Sequence, residues 1–325
     1  MKFFKRCSIM ALSLILCTAA VGCSTTDEAA SNFPSKNIEV IVPFSAGGGT
    51  DSVARSIVEN ASDEFDTTIS VVNKTGGGGA VGFTSGAKAK PDGYQVTLAT
   101  VELTTLPHLG QSSFSSDDFT PVLQVNTDPA CIAVKADSEL NTVEDLVKLA
   151  KEKPGQLKIA NSGVGAIWHL SAEAFAKEAE IELNHVPYEG ANPAIAGLLG
   201  GHVELIACSP GELSAQVAAG EIKILGIMAD DRIDSQPDIP TFKEQGYDIS
   251  MGTWRGLVVP KDTPEEIVTV LEEGFTKAAN KDEFKTFMET ANLGYEVLDG
   301  DTFGNKISEN NEVFASLIKD LGLSN

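Results

Sequence analysis

Histidine, cysteine, tryptophan and basic charge are all scarce in this 325-residue chain, and each shortage removes a class of function. Four His and five Cys are too few for a disulfide scaffold or for a protein holding several metals. Twenty-four Lys and Arg stand against 46 Asp and Glu, a net charge of −22. Nucleic acid and anionic lipid surfaces both require a basic face, so neither is the main partner. What is present is the profile of a folded protein, with 42% hydrophobic and 22% charged residues. That apolar share is too high for a disordered chain. At roughly 100–200 residues per domain, the length fits two domains.

The first 22 residues hold no acid and three bases, Lys2, Lys5 and Arg6. The apolar run from Ser8 to Gly22 is short for a membrane span, which needs about 20 apolar residues, and fits a secretory signal. It ends in Ala20-Val21-Gly22-Cys23, which resembles the lipobox of bacterial lipoproteins although Ala20 stands where Leu is commoner. That resemblance implies a lipoprotein signal peptide over 1–22, cleavage before Cys23 and a diacylglyceryl group on its sulfur. Two acyl chains give stable anchoring. An ordinary signal with an incidental Cys is the competing reading. Residues 23–35, rich in Ser, Thr, Ala and Asn, read as a flexible tether. Without the leader the balance is 21 bases to 46 acids, or −25. Cys131 and Cys208 remain in apolar stretches and read as buried free thiols, with a disulfide between them left open.

From Ile38 onward short β-rich runs alternate with helical patterns. Strands are expected at Ile38–Val42, Thr68–Val72 and Gln95–Thr100, with helices near Ser52–Asn60 and Val81–Lys88 between them. This βαβαβ order predicts parallel strands with helical crossovers. The middle repeats the logic with strands at Ala130–Val134, Leu157–Ala160, Asn184–Val186, Val203–Ala207 and Ile222–Ile227. Helices are expected at Thr142–Lys151, opened by a Thr142/Asp145 capping box, and at Ala166–Lys177 and Ala191–Leu199. The tail is helical: Thr263 caps a helix with Pro264 at its first position, and Asp282–Thr290 and Thr302–Leu321 follow. Two αβ units with a helical tail predict two lobes around a cleft. Lobe I takes 36–131 and 258–325, lobe II takes 132–257, and the crossings lie near Cys131–Val134 and Trp254–Leu257.

Three Gly-rich loops stand between a strand and a helix. Pro43–Asp51 carries Gly47, Gly48 and Gly49, and a helix start there suits an anion because its N–H groups are unpaired. A plain turn with Thr50 as N-cap explains it equally well. Asn161–Gly165 gathers a hydroxyl and N–H groups before a helix carrying His169. His169 reads as a packed or hydrogen-bonded residue rather than a general base, since no nucleophile elbow accompanies it. Gly77, Gly79 and Gly82 spell G-x-G-x-x-G, with Glu102 about 20 residues on, the letter pattern of a dinucleotide site. A poly-Gly run matches many templates by chance, and export places the chain where nicotinamide cofactors are scarce. Arg55 and Arg232 read as surface ion pairs rather than carboxylate clamps.

Taken together, the residues resemble the extracytoplasmic solute receptors of tripartite tricarboxylate transporters, the Bug-type proteins. The resemblance runs from about Ile38 to Leu321. Its marks include Val42-Pro43-Phe44 before Gly-Gly-Gly-Thr-Asp, Lys90-Pro91-Asp92-Gly93-Tyr94, Asn161-Ser162-Gly163 with His169-Leu170, His185-Val186-Pro187-Tyr188 and Pro237-Asp238-Ile239-Pro240-Thr241. It implies an α/β Venus-flytrap fold of the periplasmic-binding-protein kind, each lobe a mixed, mostly parallel sheet flanked by helices. It also implies no catalysis, no cofactor, no metal and no nucleic acid. The partners implied are a small organic carboxylate and the permease subunits that receive it, and a monomer is expected. Ligand contacts carried over by position fall on Ser45, Gly48, Gly49, Thr50 and Asp51 in the first lobe. Ser162 and Gly165 supply them in the second, with Thr100 and Cys208 in the same set. Ala166 stands where the family often has Thr, Glu189 where Lys is common, and Cys208 where many members have Asp. The rival readings are an exported dinucleotide oxidoreductase using Gly77–Gly82 and a purely structural surface lipoprotein.

Overall fold

The structure is a computed structural model that describes residues 33–324. The signal, Cys23 and most of the tether lie outside the described residues. Phe33 already packs on Tyr94, with ring centroids 4.9 Å apart, so the chain joins the first lobe slightly before residue 36.

Lobe I opens as expected: β1 (Ile38–Val42), α1 (Gly49–Ala61), β2 (Ile69–Asn73), α2 (Ala80–Ala87) and β3 (Gln95–Thr100). β1 pairs parallel with both β2 and β3. A short α3 (Glu102–Thr105) follows, then the 17-residue β4 (Phe119–Lys135). Only the last part of β4 reads as a strand in the sequence, because Asn126, Asp128 and Pro129 interrupt its apolar alternation. Those three residues mark a change of sheet. Up to Pro129, β4 pairs antiparallel with β9 (Gly252–Pro260); from Ala130 it pairs with β7 (Leu205–Cys208) and β8 (Ile222–Met228).

Lobe II adds α4 (Val143–Glu152), β5 (Lys158–Asn161), α5 (Ile167–Glu178), β6 (Asn184–Pro187), α6 (Ala191–Leu199) and α7 (Ser214–Ala218). β5 runs parallel to β6 and β7. The Thr142/Asp145 capping box is present, Asp145 N–H donating to Thr142 Oγ1 at 3.0 Å. The tail returns to lobe I as α8 (Glu265–Asn280), α9 (Asp282–Thr290), β10 (Tyr295–Asp299) and α10 (Gly300–Asp320). Thr263 does not cap α8: its hydroxyl donates to Pro260 O, and Pro264 takes the N-cap place.

Both lobes are mixed sheets, and every antiparallel pair involves β4 or β9. The parallel share is therefore smaller than the sequence suggests, since those strands are the ones it conceals. β9 pairs with β3 and β4 over residues 252–260, which sets 252–257 on the first sheet. We propose lobe boundaries at Pro129/Ala130 and Met251/Gly252. One apolar core lies under α1, α8 and α9 in lobe I; the other fills lobe II and continues into lobe I through Phe83, Val101 and Phe303. Trp254 belongs to this second core, edge-on to Phe303 at 4.9 Å and donating to Asn310 Oδ1 at 2.9 Å.

Candidate functional site

The lobes meet at two helix N-termini that face each other across the cleft. Neither helix caps itself with a side chain, because Gly48 precedes α1 and Ala166 precedes α5. A helix start leaves its first N–H groups unpaired. Each is met by a carboxylate from the opposite lobe. Glu212, after β7, accepts from Gly49 N–H at 3.3 Å, and Glu102, after β3, accepts from Ile167 N–H at 2.8 Å. Ala166 offers no side-chain cap, and Glu102 accepts from the first N–H of α5 instead.

Arg255 on β9 stands beside the α1 seat, 1% exposed. Its Nε donates to Thr50 Oγ1 at 3.1 Å, Nη1 donates to Asn126 Oδ1 and Asp128 Oδ2, and Nη2 lies 3.5 Å from Glu212 Oε1. Burial pushes the carboxyls of Glu102 and Glu212 above the usual range; N–H bonds and the Arg255 charge oppose the rise. Backbone N–H groups and Arg255 donate to three of their four oxygens, and the fourth, Glu102 Oε2, meets the Thr100 hydroxyl, which can donate or accept. Between these groups lies a cavity of about 20 Å³, room for one water. Anything larger requires the lobes to part.

Ser45, Gly48, Gly49, Thr50, Thr100 and Ser162 line that cavity; Asp51, Gly165 and Cys208 do not. Ser45 Oγ and Ser162 Oγ are buried and find no hydrogen-bond partner among the described residues. Buried hydroxyls are normally satisfied, so these two are exceptions to the rule. Asp51 serves its own loop. It accepts from Gly47 N–H, Asn73 Nδ2 and both forks of Arg55, which hold its carboxyl below the usual range against the opposing effect of burial, the largest single influence. Arg232 forms the surface pair expected, with Glu244, whereas exposed Arg55 pairs with Asp51, whose side chain is buried. Gly48 has an ordinary φ of −79° and space for a Cβ; the close approach falls on Gly49, whose Cβ would stand 2.8 Å from Glu212 Cγ and 2.9 Å from Arg255 Nη2.

Gly165, at φ +80°, braces the second loop instead. A Cβ there would meet Leu109 Cδ1 at 2.3 Å, and its N–H donates to His169 Nδ1 at 3.3 Å. Glu173 Oε1 lies 3.7 Å from His169 Nε2 and 3.2 Å from His185 Nε2. With Nδ1 accepting, His169 carries its proton on Nε2, so that nitrogen has no lone pair to give a metal. Burial lowers both imidazoles to about 4, so they are neutral, and the trio packs as a brace of polar groups with His169 edge-on to His185 at 4.6 Å. Cys131 and Cys208 are register partners on β4 and β7, both free and buried, and burial pushes the Cys208 thiol well up.

The Gly77–Gly82 loop is closed against the second lobe. A Cβ on Gly78 would meet Val164 O at 3.0 Å, and one on Gly163 would meet Gly78 Cα at 2.7 Å. The glycines let the two lobes touch. Glu102, the acid of that letter pattern, is buried against Thr100 and α5.

Residues 53–323 match the tripartite tricarboxylate transporter family receptor model. The chain belongs to that receptor family. A UPF0065 protein from the tcbD–tcbE intergenic region of Pseudomonas sp. strain P51 is 34% identical to the receptor over 264 residues, covering 78% of this chain and 77% of its own. The structure of the periplasmic binding protein BugD superposes with a TM-score of 0.85 at 29% identity, covering 90% of this chain and 99% of its own. A Rhodopseudomonas palustris protein, Rpa4515, solved with adipate, superposes with a TM-score of 0.85 at 25% identity, covering 90% and 99%. The receptor is therefore a two-lobed solute-binding protein of the extracytoplasmic type, a family of receptors rather than enzymes. No helix among the described residues is long and apolar enough to cross a membrane.

Glu102, Glu212 and Arg255 escape the sequence reading. Arg255 did leave a signal: a single cation inside the otherwise apolar run Trp254–Pro260 must be buried with a partner. The two acids have no local signal, because each acts on a helix in the other lobe.

Proposed function

We propose that the receptor captures a small organic carboxylate in the interlobe cleft and hands it to the membrane subunits of a tripartite tricarboxylate-type transporter. The observation that carries this reading is the convergence of two unpartnered buried hydroxyls, Ser45 and Ser162, on a cavity beside the α1 N-terminus and Arg255. A ligand carboxylate displaces Glu212 from Gly49 N–H and takes charge-assisted bonds there, worth about 1.5–3 kcal/mol each. Contacts come from Ser45, Gly48, Gly49, Thr50, Thr100 and Ser162. The adipate on Rpa4515 is consistent with a carboxylate as cargo.

The protein works as a monomer tethered through lipid on Cys23, without cofactor. Cys23→Ala should abolish incorporation of a palmitate analogue in metabolic labelling; equal labelling of the variant excludes the anchor. Mass spectrometry of small molecules released from gently purified protein tests the cargo. Recovery of an organic acid is expected, and absence of any melting shift with a broad carboxylate panel refutes the reading.

A further inference from the structure

The charges that line the cleft do not suit a cargo that is only anionic. Glu102 and Glu212 face the cavity, and Arg255 is the one cation that lines it among the described residues. Arg255 is already bonded to Asp128, itself 3% exposed. The guanidinium charge is thus matched before either glutamate is counted. Glu102 is 1% exposed and the Glu212 side chain 5%, so water does little to screen them. A dicarboxylate placing one end at α1 would set its other end against two acids with no second cation. Ser162 Oγ, 4% exposed and without a partner among the described residues, lines the same cavity and offers a third acceptor.

We infer that the cleft selects a small amino carboxylate: its carboxylate sits at the α1 N-terminus beside Thr50 and Arg255, and its ammonium faces Glu102, Glu212 and Ser162. An ammonium has three N–H donors and no acceptor, which matches three acceptors on the cavity wall. Glu102 and Glu212 are then the specificity-determining residues. Displaced from the helix starts as the lobes part, they regain a positive partner from the cargo. The inference rests on the cleft being a carboxylate site.

Calorimetric titration with probe pairs of equal chain length tests it: β-alanine against succinate, and γ-aminobutyrate against glutarate. Wild type is expected to bind the amino member of a pair at least tenfold more tightly. In Glu212→Gln and Glu102→Gln that ratio falls at least tenfold, and the dicarboxylate gains affinity because a negative neighbour is gone. Wild type preferring the dicarboxylates overturns the inference and leaves the carboxylate reading standing. An unchanged ratio in variants that melt like wild type also overturns it. If a variant does not fold, the wild-type ratio alone decides. If no probe of either pair binds, this inference falls, and the broad carboxylate panel decides separately whether the carboxylate reading stands.

Discussion

The starts of α1 and α5 are built alike and held differently. Each lacks a side-chain cap of its own and receives a carboxylate from across the cleft. At α5 the bond is short, 2.8 Å, and among the described residues no guanidinium bonds to Glu102. Behind that helix the His169–Glu173–His185 brace fixes the loop. At α1 the bond is long, 3.3 Å, and Arg255, paired with Asp128, lies 3.5 Å from the Glu212 oxygen that accepts it. On the length of the two bonds we propose α1 as the seat for cargo and α5 as the wall opposite it. That asymmetry is what the following variants attack.

The largest effect is expected at Arg255. Removing one partner of a buried ion pair strands the other, at a cost of about 3–5 kcal/mol. Arg255→Met strands Asp128 and Glu212 together, and should lower stability by that amount in denaturant titration. Glu102→Gln at the α5 seat keeps an acceptor oxygen for Ile167 N–H and should cost about 1–2 kcal/mol. Equal losses at the two positions would erase the distinction between seat and wall.

Acid should loosen the two sides in different pH windows. His169 and His185 fall from 6.5 to about 4 in the fold, by burial, so the unfolded chain binds more protons between those values. Stability is then fully present above 6.5 and is lost as pH falls towards 4, by on the order of 3 kcal/mol per histidine. Asp51 is held below its ordinary 3.8, so its contribution is complete above 3.8 and is lost only as pH falls further. Glu102, Glu212 and Glu173 are raised, a contribution present at low pH and lost as pH rises, which opposes the histidines. The measurement is therefore a difference: melting temperature from pH 7 to 4.5 for wild type and for His169→Gln. The variant should lose less on acidification. A parallel decline shows that the brace does not titrate.

Glycines separate the seats at a smaller scale. Gly49→Ala places a Cβ against Glu212 and Arg255 and should cost about 1–3 kcal/mol while blocking carboxylate binding. Gly48→Ala meets nothing nearer than 3.7 Å and should change binding little. Calorimetry on the pair would reverse the assignment if Gly48→Ala were the inactive one.

Much of this was legible in the chain because local rules govern it. The alternation of β1, β2 and β3 with α1 and α2, the Thr142 cap and the small-residue loops all follow from period, capping and glycine placement. β4, β9 and β10 were missed in whole or part. Asp128 and Pro129 look like a break until the strand is seen to change sheets there, and Arg255 looks like an error in an apolar strand until Asp128 and Asn126 are placed beside it. For the site, the hydroxyls and glycines at loop starts were readable because they act where they stand. Glu102 and Glu212 were not, because their partners lie 65 and 163 residues away in sequence.

The smallest effect concerns Thr50, and it divides two roles that the geometry joins. Thr50 Oγ1 accepts from Arg255 Nε and also lines the cavity. As a ligand contact, its hydroxyl donates to the carboxylate while accepting from the guanidinium. As a positioning group, it only aims Arg255. Thr50→Ala should weaken carboxylate binding about tenfold, or about 1.4 kcal/mol, and Thr50→Ser should restore most of it. In an Arg255→Lys background the planar fork is gone, and a purely positioning Thr50 has nothing to aim. There Thr50→Ala should cost under about 0.5 kcal/mol if the roles are coupled through Arg255. A full tenfold loss in that background would instead place the hydroxyl on the ligand itself, and would move the carboxylate seat from the guanidinium towards the first turn of α1.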